Sequence, residues 1–220
     1  MVQNNKSMKK LLLTGWAILA LVACQNNEKK EADNPEAKQE QISVKEQPAP
    51  DFNHKKYKMD GMILAKTTFK VFKSKIEEVG SKQGLTAVVD FCHDNAPKLT
   101  DSIGKAHNVL IRRTSHKLRN TKNEPTDAEK DVINKYLELQ DENQRLEPIV
   151  KKDKEGYIHF YAPIKIKEKC LQCHGKPGEE VKPVVLKQIK EKYPNDKATG
   201  FKKGELRGIW DIKFMDKPVK

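Results

Sequence analysis

Along residues 56–82 the apolar or small positions Met62, Ala65, Phe69, Phe72, Ile76 and Val79 step by threes and fours. That spacing makes one stripe of an amphipathic helix, with lysines on the opposite face. Gly84 breaks it. Leu85, Val88 and Cys92, flanked by Val89 and Phe91, predict a second, shorter helix over 85–93. Asn95-Ala96-Pro97 ends it, because the residue before a proline avoids the α region, and Pro97 opens a further helical stretch toward His107.

The period then changes. Residues 108–117 are β-branched and polar and read as a strand. Thr126-Asp127-Ala128-Glu129 is a capping box, starting a helix that carries Val132, Ile133, Tyr136, Leu137 and Leu139. Pro148-Ile149-Val150, a turn at 152–156 and residues 157–166 predict a β-hairpin. Val184, Val185, Leu186 and Ile189 give a short helix ending at Pro194, and 206–214 is a last strand. Helices gathered early and strands in hairpins predict an α+β domain with an antiparallel sheet, preceded by a long N-terminal helix.

The first 55 residues do not belong to that domain. Lys6, Lys9 and Lys10 precede an apolar run over 11–23 that ends in Leu21-Val22-Ala23-Cys24. At about 13 residues the run is shorter than the roughly 20 of a spanning helix, and it has the size of a signal h-region. The ending resembles a bacterial lipobox, so residues 1–23 read as a lipoprotein signal peptide and Cys24 as the acylated mature N-terminus. The competing reading is an uncleaved membrane anchor. Residues 24–55 carry Ile42 and Val44 among Asn, Glu, Lys, Gln and Pro, a disordered tether with too little apolar surface to offset ordering entropy. The expectation is an exported protein, lipid-anchored and facing the periplasm, with Gln25 favouring the outer membrane.

Residues 56–220 then form one domain, large enough for a core of its own. Mean hydropathy of −0.80 and 34% charged residues describe a highly soluble surface. The net charge is +12, of which the three signal lysines supply three, leaving +9 on the mature chain. No aromatic-interleaved basic stripe of the kind that stacks bases is present, so nucleic acid is not expected as a partner. Acidic partners and anionic surfaces are.

Four cysteines are informative. Cys170-Leu171-Gln172-Cys173-His174 has the spacing of a c-type haem attachment site, in which two thiols take the vinyl groups and the histidine ligates iron. A zinc half-site and a redox dithiol compete. Adjacent Cys173 and His174 are awkward ligands for one tetrahedral ion, and a redox dithiol belongs at a helix start within a βαβ unit. With Cys24 given to lipid, Cys92 is left over. It is either an inert buried thiol or a soft second ligand for the iron. Arg113 and Arg119 are candidate partners for the haem propionates.

Several separated blocks resemble a family of bacterial single-haem c-type domains with a PAS-like fold. They are Val89-Asp90-Phe91-Cys92 with Ala96-Pro97, Arg113-Thr114-Ser115 with Arg119-Asn120, Tyr161-Ala162-Pro163-Ile164, the motif through Gly178, and Asp196-Lys197-Ala198-Thr199-Gly200 leading to Leu206-Arg207-Gly208. Thr121 stands where that family commonly has proline. The resemblance implies a PAS-like antiparallel sheet flanked by helices, one covalent haem c, and axial ligation by His174 and Cys92. Other second ligands weighed against Cys92 are His93, His107, His116, His159 and Met215, the middle three read as solvated. The expected function is a redox or gas sensor or an electron carrier, with an unidentified redox or signalling partner and a homodimer through the N-terminal helix as a further expectation. A zinc-stapled scaffold lipoprotein, or a haem enzyme if Cys92 dissociates, are the alternatives.

Overall fold

The computed structural model describes residues 52–216, all within the compact unit Pro48–Lys220. The signal peptide, Cys24 and most of the tether lie outside the described residues. Two helices, α1 (His54–Asp94) and α2 (Ala96–Ala106), lead into β1 (Val109–Thr114). Helix α3 (Asp127–Asp141), the hairpin β2 (Ile149–Lys152) and β3 (Ile158–Lys165), α4 (Leu171–His174), α5 (Pro183–Lys192) and β4 (Leu206–Phe214) follow. The sheet is antiparallel in the order β1-β4-β3-β2. This is the expected α+β class. No helix among the described residues is long and apolar enough to cross a membrane.

Helix α1 is two helices in fact. Gly84 has φ 85° and ψ 175°, a left-handed conformation that interrupts the hydrogen-bond ladder at little steric cost to glycine. A Cβ added to Gly80 would lie 3.3 Å from Val88 Cγ2. In a straight helix those residues would stand about 12 Å apart along the axis. The chain therefore doubles back at Gly84, where the sequence predicts a break, and the short second limb carries Cys92.

The first limb packs on the sheet, but not by the predicted stripe. Its buried face is Tyr57, Gly61, Leu64, Ala65, Thr68 and Phe72, so only Ala65 and Phe72 are shared with the expectation. Met62 and Phe69 flank that face. The reason is close approach: a Cβ on Gly61 would fall 2.2 Å from Phe160 Cγ. Small residues that let a helix touch a sheet carry no hydrophobic signal.

The two faces of the sheet follow the period of two along each strand. Val109, Ile111, Ile158, Phe160, Trp210, Ile212 and Phe214 pack against α1. Tyr161 and Ile209 turn the other way, joining Val132, Ile133 and Tyr136 of α3. The capping box forms as read, with Glu129 N donating to Thr126 Oγ1 at 3.3 Å and Thr126 N to Glu129 Oε2 at 2.7 Å. Strand β1 stops at Thr114, short of the predicted 117, because Ser115 Oγ turns the chain by accepting from Lys117 N and donating to Arg207 O.

Candidate functional site

The sequence between β3 and α5 is loop-like, yet its centre folds as a helical turn. Residues 168–170 form a 3-10 turn and α4 continues it through His174. Gly175 ends the turn by donating its N–H to Leu171 O at 2.8 Å. A Cβ there would stand 2.7 Å from that same oxygen, so a side chain at 175 would force the turn open. Phe201 N then donates to His174 O and Gly200 N to Gly175 O, at 2.9 and 2.8 Å. The segment 196–201 is thereby laced to the pentapeptide, and Ala198 and Phe201 share a buried cluster with Ile166 and Leu171.

This lacing fixes the histidine. His174 Nδ1 lies 2.7 Å from Ala198 O. A carbonyl only accepts, so Nδ1 carries the proton and Nε2 keeps its lone pair. Burial, then the charges of Arg207 and Arg119, hold His174 well below the usual histidine range. The imidazole is neutral, oriented, and open at the nitrogen a metal would use.

Cys92 is carried by the second limb of α1. Its helical limb packs through Val89 on Val181, Val185, Ile189 and Tyr193, a cluster that Cys173 also joins. The thiol is partly buried. Burial pushes it up to about 11, while Arg113 and Arg119 pull it down and Cys173 raises it further. Cys92 and the pentapeptide, 78 residues apart at their nearest in sequence (170 against 92), thus belong to one electrostatic neighbourhood.

Two of the expected arginines are in that neighbourhood with different roles. Arg119 Nε and Nη2 donate to the two Asp196 oxygens at 3.1 and 3.3 Å. Its Nη2 also donates to the carbonyls of Cys173 at 2.6 Å and Ala198 at 3.2 Å. Arg119 is the clamp that ties the motif to the segment beyond it. Arg113 has no hydrogen-bond acceptor among the described residues; its guanidinium stacks 4.1 Å from the Phe72 ring centre and 5.5 Å from that of Trp210. Neighbouring Arg112 points through the opposite face to Glu129, as alternation along β1 requires. Arg207, which sequence reasoning did not single out as a site residue, also belongs here. Its Nη1 donates to Lys117 O at 3.0 Å and its guanidinium lies 5.5 Å from the Phe201 ring centre.

The other ligand candidates are not brought to the motif, with one near approach. His93 is exposed and pairs with Asp94, its ring against Tyr193. His107 is an exposed cap residue. Met215 lies beyond the Val109↔Phe214 end of the sheet, about 16 Å along the strand direction from Trp210. His116 is exposed and edge-on to Phe201, the ring that His174 also meets edge-on. His159 is not solvated as expected: it faces α3 and is held between Asp211 at 2.8 Å and Asp153 at 3.2 Å. Among the described residues no cluster of three or more His, Cys, Asp or Glu side chains could cage a metal by itself. The arrangement offers two thiols for covalent attachment, a neutral imidazole nitrogen and a further thiol as donors.

A family model described as Tll0287-like matches residues 21–214. The chain belongs to the Tll0287-like family. A solved structure, that of the cyanobacterial heme-protein Tll0287, is similar over 77% of this chain and 100% of that one, at 23% identity and a TM-score of 0.53. The shared architecture is a PAS-like sheet with a long helix before it. No curated protein matches. Nearly all the parts just described, from α1 to β4, fall within the Tll0287-like match.

Proposed function

We propose that this member of the Tll0287-like family is an exported, lipid-anchored c-type haem protein that senses redox state or a small gas. Haem binding is supported by the likeness to a heme-protein and by a donor set that fits the group: Cys170 and Cys173 for the thioether links, His174 Nε2 and Cys92 Sγ for the iron, and a half-buried guanidinium at Arg113 without an acceptor among the described residues. When bound, the haem supplies a one-electron couple and, where a coordination position opens, a site for a diatomic ligand. The observation that carries the reading is that Cys92 lies within electrostatic reach of Cys173, whose neighbour His174 has its Nδ1 already tied to Ala198 O.

The chain's own residues make Cys92 a conditional ligand. Its pocket holds the sulfur protonated unless a nearby positive charge displaces the proton. A bound haem iron would be held by Cys92 as thiolate most firmly when its charge is highest, and Cys92 would take its proton back most readily when that charge is lowered. A sensor needs such a gate. The carrier reading, with Cys92 retained in both states, is favoured by the tight seating of its helical limb, where Val88 and Val89 are 4% and 3% exposed. An enzyme is the less favoured class, since two protein ligands close the iron.

Export and the anchor at Cys24 are supported by the basic start, the short apolar run and the Leu-Val-Ala-Cys ending. Absorption spectra of the wild type and Cys92→Ala, oxidised and reduced, with and without carbon monoxide, test the site. The ferric spectrum changes in Cys92→Ala, and the wild type takes carbon monoxide when reduced. An unchanged ferric spectrum would remove Cys92 as the ligand. A reduced wild type that refuses carbon monoxide would make the protein a carrier.

A further inference from the structure

We propose that Arg113 and Arg207 hold the two carboxylates of the cofactor, and that Arg119, the third guanidinium beside them, holds the protein's own backbone instead. This rests on the haem reading above and assigns the polar end of that site. It also redistributes roles: Arg119, expected from the sequence as a carboxylate partner, is committed elsewhere, and Arg207 takes its place.

The basis is a count of charges and acceptors. Arg113 on β1, Arg207 on β4 and Arg119 in the loop after β1 act on one another and on the Cys92, Cys170 and His174 side chains. Among the described residues, Asp196 is the one carboxylate hydrogen-bonded to any of the three, and it is taken in a forked pair by Arg119. Arg119 then meets two carbonyls as well. Arg207 has one carbonyl acceptor, Lys117 O, and Arg113 has none. Two half-buried positive charges therefore stand without a carboxylate partner among the described residues.

Burial, then the charge of Arg119, presses Arg207 down to about 9. A guanidinium does not surrender its proton in a protein, so that pressure is relieved by an anion instead. A planar fork takes a carboxylate through two parallel N–H bonds, which a point charge cannot do. Two unpaired forks call for a ligand with two carboxylates, and a haem carries two propionates.

Resonance Raman spectra of the periplasm-matured holoprotein follow the propionate modes directly. Arg113→Met and Arg207→Met keep the stem and lose the fork, and each shifts a propionate bending band; Arg112→Met, on the opposite face of β1 against Glu129, leaves both bands in place. Arg113→Lys and Arg207→Lys, which keep the charge, shift the bands less. In the wild type, infrared spectra with isotopically labelled propionates show both groups ionised at pH values where an ordinary carboxylic acid is half protonated. Propionates that titrate as ordinary acids in the wild type, or bands that ignore both Met substitutions, overturn the assignment while leaving the haem in place. A matured protein that carries no haem overturns both readings.

Discussion

Replacing Arg119 by alanine tests how the pentapeptide is held. The Arg119 and Asp196 side chains are 13% and 6% exposed, so the pair is shielded from water and salt. Truncation leaves a buried carboxylate without its cation and removes a donor from the carbonyls of Cys173 and Ala198. Breaking a buried pair from one side costs about 3–5 kcal/mol. For a domain of this size each kcal/mol lowers the melting midpoint by roughly 2–4 °C, so the fall is about 6–20 °C. Thermal melts of the holoprotein, checked against urea midpoints at constant slope, read it. Arg119→Lys keeps the charge without the fork and recovers part of the loss. The double replacement Arg119→Leu with Asp196→Leu costs less than Arg119→Ala, because no charge is stranded. A loss under about 1 kcal/mol, the range of an exposed ion pair, would show that something other than this clamp holds the motif.

Two further outcomes probe the frame around the site. Gly61→Ala puts a methyl 2.2 Å from Phe160 Cγ, a ring with no exposure, and overpacking costs about 1–3 kcal/mol in urea unfolding; an unchanged midpoint would mean that α1 stands off the sheet. For His159, burial lowers the pKa but is outweighed by the hydrogen bond and charge of Asp211, then Asp153, so the net value is raised above 6.5. Its stabilising contribution is therefore complete below 6.5 and is lost as pH rises through the raised value. Wild-type stability falls across that window, and His159→Gln flattens the profile. A wild-type curve level through it would refute the ion pair.

Much of the fold was legible because local rules decided it. The break at Gly84, the capping box at Thr126 and the limits of β4 each depend on a few neighbouring residues. Elimination left Cys92 as either an inert thiol or a second donor, and the fold brings it within electrostatic reach of Cys173. The buried stripe of α1 was not, since Gly61 and Thr68 are chosen for closeness and not for hydrophobicity. Nor was the division among arginines. Arg119 reaches Asp196 across 77 residues, a contact only the tertiary fold creates, and Arg207 looks like any polar residue of a strand. The period of two did hold one unused signal: Arg113 shares parity with Ile111 and Val109 and so belongs on the α1 face, with Arg112 on the other.

The proposal stands most directly on the covalent link at Cys170 and Cys173. Intact-mass measurement of protein matured in a periplasm with a cytochrome c assembly system decides it. The wild-type domain is heavier by one haem, and Cys170→Ala with Cys173→Ala loses the whole increment. A wild-type mass equal to that of the bare polypeptide would contradict it.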